Sequence, residues 1–217
     1  MPNHLAVDSP EDTTAAASHP TSVPAYVYLA RRVSTLLAPA PVSGLLVLFV
    51  ALYHTHTLLI AFAYATVTFF SIGLGPLVFV LLGVHSGKLS DIDLSSRNER
   101  TGPFLFGFAS AMLGLFVLLY LHGPKAMETV LICTAVGGMV LMVTTWWWKI
   151  SVHAATLAGA VTMLTALYGP AMLPALFLLV LVCWSRVVLR RHTVVQVVAG
   201  SLVSIVLTIA VILLRGI

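Results

Sequence analysis

The chain has 217 residues, of which 59% are hydrophobic and 8% are charged, and its mean hydropathy is +1.04. Those values exclude a soluble domain and predict one polytopic membrane bundle. The 11 lysines and arginines exceed the 7 acids by only four charges. No basic stripe with interleaved aromatics accompanies them, so we expect no nucleic-acid partner. Cys133 and Cys183 lie in separate apolar segments and predict neither a disulfide framework nor a metal site.

The N-terminal residues 1–36 are rich in Pro, Ser, Thr and Ala and contain three of the seven acids. They show no apolar period. They also lack the basic start and the apolar run of a signal peptide. We therefore predict a flexible polar tail over residues 1–36, followed by a transmembrane domain over residues 37–217.

Beyond the tail, the sequence predicts an all-α, polytopic transmembrane helix bundle of about seven spans, with six as an alternative. A helix needs about 20 apolar residues to cross a bilayer. Ser110 with Gly114, and Gly137 with Gly138, are small residues that favour close helix packing in lipid. We expect an integral, multi-pass protein of the cell membrane, with spans at roughly 38–55, 58–84, 104–121, 127–147, 150–168, 171–188 and 194–214.

Three polar clusters, at residues 88–103, 149–153 and 185–196, separate these apolar runs. Because one helical hairpin lies between each cluster and the next, all three are expected at the same face of the membrane. The face is rich in Lys and Arg. That excess fits either the positive-inside rule or anion binding, so it leaves the orientation open. On the other face, the His54 and His56 pair is interpreted as an interfacial turn and not as a metal site.

The third cluster has the residue types that phosphate chemistry needs. Guanidinium groups such as Arg186 form bidentate contacts with phosphate. A neutral imidazole such as His192 is a usable nucleophile. Gln196 lies four residues further on, on the same helical face, where its side-chain carbonyl can accept from the ring N–H. Arg190 and Arg191 are expected to meet lipid headgroups.

The pattern Ser185-Arg186, five residues, His192, three residues, Gln196 resembles the third signature of the type 2 phosphatidic acid phosphatase (PAP2) superfamily. That signature reads Ser-Arg, five residues, His, three residues, Asp. Ser151-Val152-His153 resembles the second signature, Ser-Gly-His. The stretch 88–103 loosely resembles the first, a Lys followed by Arg-Pro. The resemblance spans about residues 85–200 and implies a PAP2-like helical core.

The resemblance implies a role for each of these residues. His192 would be the nucleophile that carries the phosphoryl group, Gln196 would orient its ring, and His153 would be the general acid. The protein would be a membrane phosphatase without metal or cofactor, acting on a lipid phosphate such as phosphatidic acid or on a polyprenyl pyrophosphate. Its partners would be that substrate and the membrane lipids. The implied phosphate ligands are Lys88, Arg97, Arg100, Ser151 and Arg186.

Two departures from the family pattern favour an alternative. Gln196 stands where the family has Asp, and Val152 stands where it has Gly. A catalytically degenerate protein that binds or transports lipid phosphates would tolerate both changes. A second alternative takes Asp91 and Asp93 as a Mg²⁺ site of an intramembrane transferase. Otherwise these two acids and Glu99 could position the neighbouring basic residues or be solvated, and we expect them to be solvated.

Overall fold

The computed structural model describes residues 24–94, 96 and 98–217. Within these residues the chain is helical and forms no β-strand. A π-helical turn at Phe70–Leu74 joins the third and fourth α-helices, and a 3-10 turn at Pro170–Ala175 precedes the eighth. The nine α-helices of the described chain are α1 (Ala25–Leu36), α2 (Pro39–His54), α3 (Leu58–Phe69), α4 (Gly75–His85), α5 (Thr101–Tyr120), α6 (Lys125–Trp147), α7 (Val152–Tyr168), α8 (Leu176–Val188) and α9 (Val194–Arg215).

The described residues contain five helical segments that are long and apolar enough to cross a bilayer: Leu58–His85, Thr101–Tyr120, Lys125–Trp147, Pro170–Val188 and Val194–Arg215. Helices α1 and α2 meet at a bend of 45° and together make a sixth candidate. Helix α7 is apolar but has only 17 residues, at the short limit for a span. This is the pattern of a multi-pass membrane protein, with five or six candidate spans by length where the sequence predicts about seven.

The prediction of an unstructured tail up to residue 36 is wrong for residues 25–36, which form α1. The inner face of α1 is a stripe of Val27, Ala30 and Ser34 that continues to Leu37 just after the helix. Ala30 and Ser34 are buried. This helix packs against α8. The stripe has helical spacing, but two of its members are small or polar, so it leaves no apolar period in the sequence. Residues 1–23 of the predicted tail lie outside the described part of the chain.

Close packing of α7 on α9 sets the position of the second polar cluster relative to the third. The Ser151 N–H donates to the Gln196 carbonyl at 3.4 Å. A Cβ on Gly200 would lie 2.8 Å from the Ser151 carbonyl oxygen, a distance that real Cβ contacts do not show. Glycine at position 200 therefore permits the N-terminus of α7 to lie against the first turns of α9.

The two predicted small-residue packing sites have different outcomes. A Cβ on Gly114 would lie 2.3 Å from the Ser71 hydroxyl, so this glycine does mark a close helix contact. Gly137 and Gly138 have no atom within 4 Å of the position that a Cβ would take. The prediction of close packing is wrong for this pair, because both glycines border a cavity inside the bundle.

Candidate active site

The third polar cluster forms a short loop that returns on the end of α8. Helix α8 ends at Val188, and Arg190 adopts a left-handed backbone conformation with φ of 52°. The N–H groups of Arg191 and His192 then donate to the Arg186 carbonyl at 3.0 and 3.3 Å. These bonds hold the His192 ring one short loop away from the Arg186 side chain.

A capping box at the start of α9 orients the His192 ring. The Thr193 hydroxyl accepts from the Gln196 N–H, and the Gln196 Oε1 accepts from the Thr193 N–H at 3.1 Å. The same Oε1 lies 3.3 Å from His192 Nδ1. Because this oxygen can only accept, Nδ1 carries the ring proton and Nε2 keeps a lone pair. The contact between His192 and Gln196 is the one that their i, i+4 spacing predicts.

The surroundings of His192 favour its neutral form. Its side chain is 7% exposed, and burial lowers the pKa of His192 to about 3. The positive charges of Arg186 and Lys149 act in the same direction, while the hydrogen bond to Gln196 opposes them. At neutral pH the ring is therefore an uncharged imidazole, which is the form that attacks phosphorus.

Arg186 is a buried cation that connects three parts of the chain. It is 2% exposed, and its Nη1 donates to the Ser34 hydroxyl at 2.8 Å. The same nitrogen lies 3.3 Å from Asp93 Oδ2. Its Nε is buried without a hydrogen-bond partner among the described residues. Helix α1 and the loop before α5 thus both converge on one guanidinium.

Asp93 shows that the acids of the first cluster do more than face solvent. Its carboxylate is paired with Arg186 and also with Arg191, whose Nε lies 3.5 Å away. The expectation that Asp93 is solvated is therefore wrong, while a contact of Arg191 with lipid headgroups stays a prediction. Glu99 likewise accepts from the backbone N–H and the hydroxyl of Ser90, at 2.8 and 2.9 Å. Sequence spacing carries no signal for partners more than 90 residues away.

Arg100 connects the first polar cluster to the second. It is 3% exposed, and its Nε and Nη1 donate to the carbonyls of Leu94 and Ile150, at 2.9 and 3.2 Å. Leu94 has a left-handed φ of 51°, a costly conformation for a branched side chain. Burial, followed by the charge of Arg186, lowers the pKa of Arg100. The structure therefore places Arg100, a predicted phosphate ligand, beside Arg186.

The second cluster contributes two different kinds of residue. Ser151 is fully buried, and its hydroxyl accepts from the Ala154 N–H as the N-cap of α7. A contact between this hydroxyl and phosphate stays a prediction. The His153 ring lies within range of the charges of Arg186 and Arg100. Both histidines therefore have the same two arginines as neighbours.

One predicted ligand, Lys88, does not join this group. It is exposed just beyond the end of α4 and lines neither the cavity beside His153 nor the one beside His192. Another predicted ligand, Arg97, lies outside the described residues. Lys149, which the sequence did not identify as a ligand, lines a cavity with His192, and burial lowers the pKa of its amine.

The two histidines border neighbouring cavities. His192, Gln196 and Lys149 line a cavity of about 410 Å³. His153 and Arg100 line a larger cavity of about 550 Å³, together with Asp93. The carboxylate of Asp93 thus reaches from the wall of the larger cavity to Arg186 and Arg191, on the side of the smaller one.

Sequence reasoning missed Ser34 and preferred solvation to a pairing role for Asp93, because both contacts depend on tertiary structure. The Mg²⁺ alternative gains no support, since both Asp93 oxygens face Arg186. In the part of the chain that the structure describes, no group of three or more His, Cys, Asp or Glu side chains is placed to hold a metal. Comparisons with protein-family models, with curated proteins and with solved structures found no match.

Proposed function

We propose that the protein is a membrane-embedded, metal-independent phosphatase of the PAP2 type that hydrolyses a lipid phosphate or pyrophosphate through a phosphohistidine at His192. The observation that carries this proposal is Arg186, a buried guanidinium whose charge acts on both His153 and His192. A buried cation cluster is costly unless an anion offsets it. A phosphoryl group is an anion of the right geometry for fixed guanidiniums.

Each reacting group has a place in this mechanism. His192 Nε2 attacks phosphorus, the new N–P bond forms, and the P–O bond to the lipid alcohol or lipid phosphate breaks. The negative charge of the bound phosphate favours the protonated ring of His153, which then gives its proton to the leaving oxygen. Water then attacks phosphorus, the N–P bond returns its electrons to His192, and His153 takes a proton from the water. The sum is one lipid phosphate and one water converted to the lipid alcohol and inorganic phosphate.

Arg186 and Arg100 would stabilise the charge that gathers on the equatorial oxygens in each transition state. A phosphoryl group bound to Arg186 must displace the Asp93 carboxylate, since Asp93 is paired with the same guanidinium. We therefore expect Asp93 to move aside when substrate binds. Membrane spans around the cluster favour a lipid substrate over a soluble one.

A lipid-phosphate-binding protein without turnover is the second candidate, and Gln196 favours it. An amide orients the ring of His192 but cannot stabilise an imidazolium by charge. Oε1 is also shared with the Thr193 N–H, which weakens its contact with the ring. Under this reading the arginines still bind phosphate, but the phosphoryl group is not transferred.

Phosphate release by the purified full-length chain separates the two candidates. The substrates are short-chain phosphatidic acid and a prenyl pyrophosphate, each with and without EDTA. We expect hydrolysis that EDTA does not reduce and that His192→Ala lowers by about a thousandfold or more, because the nucleophile is lost. His56→Ala is the matched control, since His56 is an exposed histidine in the turn between α2 and α3.

Equal rates for the wild type and His192→Ala would end the phosphatase proposal. Binding of inorganic phosphate without any hydrolysis, weakened by Arg186→Ala, would favour the second candidate. Loss of activity in EDTA, restored by Mg²⁺, would point instead to the carboxylates of the first cluster.

A further inference from the structure

The cavity beside His153 continues from the cationic cluster into the interior of the helix bundle. At the cluster end its wall includes His153, Arg100 and Asp93. At the far end it reaches Met163 and Thr208, which lie in the later turns of α7 and α9. One end is thus charged and the other lies at bilayer depth.

The wall of this cavity is apolar despite several hydroxyl groups. Thr134 donates its hydroxyl to the Val130 carbonyl at 2.9 Å, within its own helix. Thr35, also in the wall, donates its hydroxyl to the Arg31 carbonyl at 3.0 Å. Hydroxyls that are already bonded present mainly carbon to the cavity. An apolar space of this kind does not hold ordered water well.

The volume, about 550 Å³, is that of a ligand site and far above the small voids of a packed interior. Gly137 and Gly138 keep it open, since a Cβ at either position would meet no atom within 4 Å. A methylene takes up about the volume of a water molecule, roughly 30 Å³. The cavity therefore has room for a single chain of up to about 18 carbons, and its lining loses dispersion contacts if nothing fills it.

We propose that this cavity binds one apolar chain of an anionic lipid whose phosphate lies at Arg100 and Arg186. The inference rests on the proposed function for the identity of the headgroup, and it adds that a tail enters the bundle instead of staying in the surrounding bilayer. Charge complementarity fixes the direction of binding, because the buried arginines lie at one end only. Lipids with a single long chain, or with one chain free to separate from the other, are the substrate class that fits.

Cavity-filling variants test this inference without relying on turnover. The chain in neutral-lipid nanodiscs is titrated with radiolabelled octylphosphonate and hexadecylphosphonate, which keep the anionic head but cannot be hydrolysed. Each affinity is expressed per mole fraction of probe in the bilayer. The ratio of the two affinities then reports the chain site and not partitioning into lipid. We expect the wild type to prefer the longer chain by about tenfold, through contacts that fill the void.

Gly137→Leu and Gly138→Leu, made separately, should each reduce that preference to about one while the affinity for octylphosphonate stays the same. Gly138→Ala keeps the test valid if the leucine variants fail to fold, since its methyl meets no neighbour. It should reduce the preference for the longer chain by less than the leucine variants do. Val136→Leu is the matched control, because Val136 is on the same helix but 38% exposed. It should keep the wild-type preference.

Chain preference that persists in both leucine variants would overturn the inference, and so would a wild type that binds neither phosphonate or binds both equally. The two proposals fail in different ways. Chain-dependent binding without hydrolysis of any substrate leaves the cavity site standing and removes the phosphatase. Hydrolysis at equal efficiency for short and long chains leaves the phosphatase standing and removes the cavity site.

Discussion

The two ends of the bundle carry their charges in opposite ways. At one end, four cations (Arg100, Arg186, Lys149 and Arg191) lie within range of one another and of only two carboxylates in the described part of the chain, those of Asp91 and Asp93, and Asp93 is paired with two of them. At the other end, Arg215 and Glu128 form a pair. Among the described residues, a buried guanidinium Nε without a hydrogen-bond partner occurs at both ends, on Arg186 and on Arg215. An unsatisfied donor therefore does not distinguish them.

The distinguishing property is the balance of charge. Glu128 and Arg215 cancel each other between the start of α6 and the end of α9, which is sufficient for a structural tie. The opposite end keeps an excess of positive charge next to two histidines, at a cost in desolvation that folding alone does not explain. An excess of this kind indicates a place for a mobile anion. The comparison thus separates a structural ion pair from a binding site within one protein.

Replacing Arg186 and Arg215 by alanine, in separate variants, should give the largest difference in activity between the two ends of the bundle. Arg186→Ala should lower kcat/KM for a lipid phosphate by about 10²–10³-fold, because a fixed cation at the transition state is lost. Arg186→Lys should restore only part of this, since an ammonium lacks the two-pronged contact. Arg215→Ala should leave kcat/KM almost unchanged but destabilise the fold by about 1–3 kcal/mol, because Glu128 loses its partner.

Phosphate release and thermal unfolding, measured on the same preparations, check both halves of this contrast. An Arg215→Ala variant that loses activity while it remains folded would mean that the two ends do not differ in the way described.

Gly200→Ala should give the next largest effect. Its methyl would lie 2.8 Å from the Ser151 carbonyl, so α7 and α9 must separate. We expect a loss of about 1–3 kcal/mol in the free energy of unfolding together with a drop in activity, since His153 lies in the first turn of α7 and His192 lies just before α9. Gly138→Ala is the stability control and should be neutral or stabilising by up to about 1 kcal/mol. Chemical unfolding in mixed micelles measures both, and equal stability of the two variants would contradict the packing described.

Asp93→Asn should have the opposite effect and strengthen anion binding at the charged end of the bundle. Without the carboxylate, Arg186 loses the acid that competes with an added anion, so the inhibition constant for inorganic phosphate should fall about three- to tenfold. Glu99→Gln is the control from the same loop, because Glu99 bonds to Ser90 and not to these arginines. Inhibition by phosphate that weakens in Asp93→Asn would show that Asp93 supports anion binding instead of competing with it.

Gln196→Glu should give the smallest change in rate and a clear change in titration. Glutamate preserves the capping box with Thr193. Its carboxylate should raise the pKa of His192 from about 3 toward the ordinary value of 6.5, since it favours the charged ring. In the wild type the ring should stay neutral from pH 8 down to pH 5, and in the variant its midpoint should move upward.

Imidazole carbon shifts in ¹³C-histidine-labelled protein, assigned with His192→Asn, follow this titration. We expect an increase of about two- to tenfold in kcat for Gln196→Glu, because charge stabilises the imidazolium. A wild-type midpoint near 6.5 would show that burial and Arg186 do not act on His192 as described. The lowered pKa of His192 also affects stability. Between pH 6.5 and about pH 3 the ring binds a proton in the unfolded chain but not in the folded one, so acidification destabilises the fold.

Local features of the site could be predicted from the sequence, and distant ones could not. His192 and Gln196 are four residues apart, and the contact predicted from that spacing is present. His192 precedes α9, so the contact forms through the capping box at the start of that helix and not within a helical turn. The apolar runs likewise predict the helical, multi-pass architecture. Ser34 lies 152 residues before Arg186, and no periodicity or motif connects them.

The errors share a physical origin. Helix α1 packs through Ala30 and Ser34, whose size hides the helical period. Gly137 and Gly138 have the composition of a helix contact, but a glycine beside an empty space and one beside another helix are identical in sequence. Only tertiary structure separates the two cases.

Trapping of the covalent intermediate tests the central claim most directly. The protein is mixed with ³²P-labelled lipid phosphate, quenched in alkali within milliseconds and digested for mass spectrometry. We expect one labelled peptide, stable to base and labile to acid, with the phosphoryl group on His192 and no label in His192→Ala. Label on any other residue, or hydrolysis that proceeds without a labelled protein, would contradict a phosphohistidine mechanism at this site.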